Sequence, residues 1–156
     1  MNRSDPGTPP FLKSGTNVAP LGPDMTTSNR PVGYMNRMLI VEDDLALAEV
    51  LAEVLTYENC VVDVVSNGME ALERLGGFDY EGIVCDLMLP RLAGEGLYRE
   101  VARAYPHLAH KFLFITGEAS SRGGLCDFIP RTGNALLEKP FEMSQFRDAL
   151  RDLFAR

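Results

Sequence analysis

The chain has 156 residues, 46% of them hydrophobic, which is enough to bury one proper core. A formal net charge of −7 argues against nucleic acid or an anionic membrane as a direct partner. No apolar run approaches the length of a membrane span, and the N-terminus lacks the basic-then-apolar pattern of a secretory signal.

Residues 1–34 differ from the rest. Pro6, Pro9, Pro10, Pro20, Pro23 and Pro31 alternate with Gly, Ser, Thr and Asn, and the few apolar residues show no period. This is the composition of a disordered linker, leader or tag-like tail, which leaves residues 35–156 as the expected folded domain. Cys60, Cys85 and Cys126 are scattered, odd in number and without metal spacing. Three reduced thiols packed in a cytoplasmic protein are expected.

The first buried strand is Met38-Leu39-Ile40-Val41, ended by Glu42-Asp43-Asp44. Leu45 to Leu55 follows as a helix with Leu47, Val50, Leu51, Val54 and Leu55 on one face and Asp44 as N-cap. Val61 to Val65 is the second strand. Asn67-Gly68 turns into a helix over Met69 to Leu75, ended by Gly76-Gly77. The third strand, Gly82-Ile83-Val84-Cys85, runs into Asp86 and is stopped by Pro90. A helix from about Gly96 to Tyr105 is halted by Pro106. Lys111 to Thr116 is the fourth strand. Ala119 to Ile129 reads as a weak helix, burdened by Gly123 and Gly124. Ala135 to Glu138 is the fifth strand, and Phe141 to Phe154 the last helix, striped by Phe146, Ala149, Leu150 and Leu153.

Five βα alternations imply a parallel sheet with right-handed crossovers and helices on both faces. The expected fold is α/β, a flavodoxin-like three-layer sandwich with strand order 2-1-3-4-5. Ligands bind such sheets at the carboxyl ends of the strands. There the chain places Glu42, Asp43 and Asp44 after the first strand, Asp86 after the third, Thr116 at the fourth and Lys139 after the fifth. Singly, each has an ordinary structural explanation: a helix cap, a strand end, a solvated lysine. Together at one edge they form a chemical set. Crowded carboxylates repel unless a cation lies among them, and few hard oxygen ligands suit Mg²⁺ with retained waters. A metal, an ammonium and a hydroxyl can hold three phosphoryl oxygens, and a facing carboxylate can be the nucleophile.

From Met38 to Arg156 the chain resembles the receiver domain of two-component response regulators. The matching pieces are Leu39-Ile40-Val41-Glu42-Asp43-Asp44, Asp86-Leu87-Met88-Leu89-Pro90 with Gly94, Ile115-Thr116-Gly117, and Glu138-Lys139-Pro140-Phe141. The resemblance implies that Asp86 accepts a phosphoryl group from a histidine kinase or phosphotransfer protein. It implies Mg²⁺ held by Asp43 directly, by Glu42 through water, by Asp86 and by the backbone carbonyl of Met88. Thr116 would be the switch hydroxyl, Lys139 the phosphoryl-pairing lysine, and Lys139-Pro140 a cis bond. Asp44 resembles a helix cap. Where the family often carries an aromatic three residues before the lysine, this chain has Leu136, so the switch pair expected here is Thr116 and Leu136. Gly117-Glu118 stands where Ala often follows the threonine. The run from Gly117 to Phe141 is similar to receivers at the C-terminal end of hybrid histidine kinases.

The expected function is a phosphorylation switch, not a turnover enzyme, whose output is contact with a downstream protein. The chain ends within its last helix, with no segment expected to bind DNA. The alternative is a pseudo-receiver, an interaction module independent of phosphorylation. A dehalogenase-type phosphatase would want a second acid where Met88 stands. A flavin binder would want a Ser/Thr/Gly-rich loop where Glu42-Asp43-Asp44 stands. His107 and His110, away from the acidic edge, read as surface histidines.

Overall fold

The computed structural model describes residues 33–92, 94–117, 124 and 126–156. The tail expected over residues 1–34 lies, save for Gly33 and Tyr34, outside the described residues. Five strands, β1 (Asn36–Val41), β2 (Cys60–Val65), β3 (Gly82–Asp86), β4 (Phe112–Thr116) and β5 (Ala135–Glu138), form one sheet in the order β2-β1-β3-β4-β5. Every neighbouring pair is parallel. The helices are α1 (Leu45–Tyr57), α2 (Gly68–Gly77), α3 (Gly94–Ala104), α4 (Ile129–Thr132) and α5 (Met143–Phe154). A 3-10 turn at Pro106–Leu108 leads into β4.

The local chemistry explains these boundaries. The Asp44 carboxylate accepts from the Ala46 and Leu47 amides and caps α1. Asn67 Oδ1 accepts from the Glu70 amide at the start of α2, while Glu70 reaches back to the Ser66 amide. Glu142 and Gln145 form a reciprocal capping box on α5. The helix foreseen over Ala119 to Ile129 falls largely outside the described residues, and among the described residues between β4 and β5 helix is found at Ile129–Thr132. Gly124 has φ +98°, a left-handed conformation that interrupts an α-helix, and Gly133 at φ +72° ends α4.

Two apolar layers flank the sheet. On one side α2, α3 and α4 cover Leu39, Val41, Ile83, Cys85, Phe112 and Phe114. On the other, α1 and α5 cover Met38, Ile40, Val84, Leu113 and Ile115. The all-apolar strands are thus explained by burial on both faces. Phe146 of α5 is fully buried, which contributes roughly 2 kcal/mol of transfer free energy. In α1 the buried residues are Ala48, Leu51, Val54 and Leu55, whereas Val50 is exposed. The helical period centres the buried stripe on Leu51 and Leu55 and turns Val50 away.

Edge strand β2 is tied to its neighbours by a polar cluster. Asp63 Oδ2 accepts from Arg37 Nε at 2.8 Å and from the Tyr80 hydroxyl at 2.6 Å. The Arg37 guanidinium lies 4.0 Å from the centre of the Phe78 ring. Burial favours the neutral Asp63 acid, but the hydrogen bonds from Arg37 and Tyr80 and the positive charge of Arg37 outweigh it and hold the carboxyl below its ordinary value. An acid with a depressed folded pKa stabilises the fold above its unfolded pKa and loses that stabilisation as pH falls through the folded value. The stability difference between wild type and Asp63→Asn, from urea unfolding, is therefore expected to be full at neutral pH and to shrink below about pH 4. A difference that stays constant down to roughly pH 2 would contradict the ion pair.

Candidate functional site

The site follows from strand order. β1 and β3 are neighbours, with Val41 opposite Cys85, so the next residues, Glu42 and Asp86, emerge at the same level. β4 lies on the other side of β3, with Asp86 opposite Ile115 and Thr116 one residue beyond. Thr116 pairs with Glu138 of β5, and its carbonyl accepts from the Lys139 amide at 2.7 Å. Four strands thus deliver Glu42, Asp86, Thr116 and Lys139 to one edge of the sheet.

Both inner carboxylates are buried: Glu42 is 1% exposed and Asp86 4%. Lys139 Nζ lies 2.9 Å from Asp86 Oδ2 and 3.4 Å from Glu42 Oε2. Asp86 Oδ1 accepts from the Met88 amide at 2.8 Å, and Glu42 Oε1 accepts from the Asp44 amide at 3.1 Å. Asp43 is exposed at the rim. Carboxylate oxygens of Glu42, Asp43 and Asp86 all lie within 4.8 Å of one another. No buried side-chain nitrogen or oxygen among the described residues lacks a hydrogen-bond partner.

The electrostatics agree with this crowding. Burial, then the Asp86 carboxyl beside it, pushes Glu42 up to about 7. Burial works against the Lys139 ammonium, yet Asp86 and Glu42 outweigh it and the lysine is raised. Burial also pushes the Cys85 thiol far up, so this cysteine is an inert apolar neighbour of Asp86. One ammonium lies against two of the three clustered carboxyl groups. The donor set, all hard oxygens converging from two strand ends, fits a small divalent cation.

A model of the response regulator receiver domain family matches residues 38–151. The chain belongs to that family. The receiver is 34% identical over 125 residues to the transcriptional regulatory protein CutR of Streptomyces coelicolor, covering 77% of this chain and 54% of CutR. It is 31% identical over 125 residues to the transcriptional regulatory protein TcrA of Mycobacterium tuberculosis, covering 77% of this chain and 46% of TcrA. It therefore spans about half the length of the curated relatives it matches. Among solved structures it superimposes on the CheY-like receiver domain of a response regulator from Methylobacillus flagellatus, with a TM-score of 0.64 and 28% identity, covering 77% of this chain and 99% of that one. It shares its fold with the receiver of the sensor histidine kinase PA1611 from Pseudomonas aeruginosa, whose structure holds a magnesium ion in its active-site cleft. That match has a TM-score of 0.68 and 23% identity and covers 79% of this chain and all of that one.

The residues singled out in the receiver's sequence fall at different places in the fold. Glu42, Asp43, Asp86 and Lys139 converge as expected. Thr116 is fully buried on the adjacent strand end, and the Lys139-Pro140 bond is cis. Asp44 is a cap and lends its amide to Glu42. Met88 takes part through its amide on Asp86, while its side chain is 52% exposed. Leu136 stands opposite Phe114, half-buried, two residues short of the level of Thr116 along the sheet. His107 and His110 are exposed, with His110 Nδ1 3.1 Å from the Thr132 carbonyl.

Gly94 entered only as part of a motif, and the structure supplies its reason. A Cβ there would stand 2.9 Å from Leu87 Cα and 3.1 Å from the Asp86 carbonyl oxygen, both backbone atoms that cannot step aside. The glycine lets α3 start directly against the strand end that carries Asp86. Gly94→Ala is expected to destabilise the domain by about 1–3 kcal/mol, as overpacking does. Urea unfolding checks it, and an unchanged midpoint would show that the α3 junction has slack.

Proposed function

We propose that Asp86 is the phosphoacceptor of this receiver, and that its phosphorylation by a histidine kinase or phosphotransfer protein switches contacts with a downstream protein. The observation that carries this reading is the Asp86 carboxylate, buried yet held 2.9 Å from the Lys139 ammonium inside a cluster of acids. A structural aspartate needs one partner. This one has an ammonium and an amide, and two further carboxylates that repel it.

In the reaction, an Asp86 oxygen attacks the phosphorus of a phosphohistidine. An O–P bond forms, the P–N bond breaks, and its electron pair leaves on the imidazole nitrogen, which takes a proton from solvent. Glu42, Asp43, Asp86 and the Met88 backbone carbonyl would hold Mg²⁺, which supplies charge neutralisation to the carboxylates and the phosphoryl oxygens when bound. Lys139 is placed to pair with a phosphoryl oxygen, and Thr116 can donate its hydroxyl to another. The receiver assists only its own phosphorylation and dephosphorylation. The reduced thiols fit a cytoplasmic setting, and the negative charge favours a protein output over direct contact with nucleic acid.

Asp86→Asn should remove incorporation from acetyl phosphate with Mg²⁺, read by intact mass, while leaving the fold in place. Phosphorylation at an undiminished level in that variant would sink the assignment. Mg²⁺ should raise the melting temperature of the wild type, since a ligand of the native state stabilises by mass action, about 2.7 kcal/mol at a hundredfold excess over its dissociation constant. Asp43→Ala should abolish that shift. An equal Mg²⁺ shift in the variant would exclude Asp43 as a ligand.

A further inference from the structure

The two edges of the sheet differ. β5, at one edge, has four residues, ends on the exposed Glu138 and runs into Lys139-Pro140. A short strand with charges and a proline at its end is a poor template for further pairing. β2, at the other edge, has six residues, Cys60-Val61-Val62-Asp63-Val64-Val65. It carries no proline and no lysine, and its β-branched run has high strand propensity. Its single charge does not guard the edge, because Asp63 is held by Arg37 and Tyr80 of the same domain.

The Val65 carbonyl accepts from the Glu42 amide at 3.0 Å. Val65, and with it Asp63 and Val61, therefore turns its backbone groups toward β1. The alternate residues Cys60, Val62 and Val64 direct theirs away from the sheet. Among the described residues no strand lies on that side. Val61 is 39% exposed and Val64 38%, while the apolar residues of β3 and β4 are all buried. Tyr57, exposed at the end of α1, lies three residues before the same strand.

We propose that the outer edge of β2 pairs with the same edge of a second copy of this chain, antiparallel about a two-fold axis, so that two five-stranded sheets become one. The edge calls for a partner strand that is apolar and brings no unpaired charge, and an identical strand meets both conditions. A two-fold contact closes on itself, and the guarded β5 edge does not extend it. Pairing centred on Val62 sets Asp63 opposite Val61 of the second copy. Pairing centred on Asp63 would set two acids opposite each other, which is destabilising. The opposing force is the net charge of −7 on each chain, so the contact is weak and salt strengthens it. In an antiparallel pair the carboxyl ends of the two sheets face opposite ways, and β1 separates β2 from the strand that carries Asp86. Both acidic clusters stay open, and the contact does not depend on Asp86 being the acceptor.

Sedimentation equilibrium of the full chain tests this over roughly 10 µM to 1 mM, the range suited to a small interface. The wild type is expected to pass from monomer to dimer across that range. Its dissociation constant is expected to fall severalfold between about 0.05 and 0.5 M NaCl, as like charges are screened. Val62→Pro removes an N–H that points outward and leaves the bonds to β1 in place, so it is expected to fold and to remain monomeric. Val64→Lys puts a charge on the edge and is expected to weaken the dimer at least about tenfold, although it lowers the net negative charge. A wild type still monomeric at about 1 mM, a dimer undiminished in Val64→Lys, or a dimer that salt weakens overturns the proposal.

Discussion

The contact on which the site depends is the Lys139 ammonium against the Asp86 and Glu42 carboxylates. Two acids emerging side by side from buried strands repel each other, and their burial makes the repulsion larger than in water. The lysine relieves part of it. Burial, and then the Asp86 carboxyl beside it, raises the pKa of Glu42. Breaking a buried pair leaves an uncompensated charge and destabilises strongly, so the fold must hold this lysine in place. It does so with the Lys139 amide on the Thr116 carbonyl, directly where β5 ends.

Everything else in the domain can be read as support for that edge. The parallel order β2-β1-β3-β4-β5 brings the ends of β1 and β3 together, a meeting that no sequential order would produce. Caps at Asp44 and Asn67 start α1 and α2 without further turns, and Gly94 lets α3 begin against the Asp86 backbone. The apolar layers on both faces leave the strand ends as the place where polar groups converge, which is why a carboxylate with 4% exposure exists here. Stability comes from the layers, and the chemistry is concentrated where the layers stop.

Much of this is legible in the amino-acid sequence. The inner runs Met38–Val41, Ile83–Cys85 and Phe112–Ile115 are apolar because both faces are covered, and that pattern marks them clearly. Asp86 and Lys139 stand out because acids and lysines at strand ends are costly to bury singly and make sense only as a set. Gly124, expected inside a weak helix, has positive φ, and α4 begins at Ile129. Propensity counts a glycine as a poor helix former, and it does not say when the backbone requires one for a left-handed turn. The exposure of Val50 was missed for a related reason, since apolar spacing alone does not tell the centre of a stripe from its flank.

The strand-end cluster is thus a charge conflict that one ammonium only partly resolves, and the proposed phosphoryl group and divalent cation would complete it. The most direct test is a crystal structure grown with Mg²⁺ and beryllium fluoride. It should show the beryllium centre bonded to an Asp86 carboxylate oxygen, with Lys139 Nζ and the Thr116 hydroxyl on its fluorines and the cation among Glu42, Asp43 and Asp86. An adduct on any other carboxylate, or a cation bound away from these three acids, would contradict it.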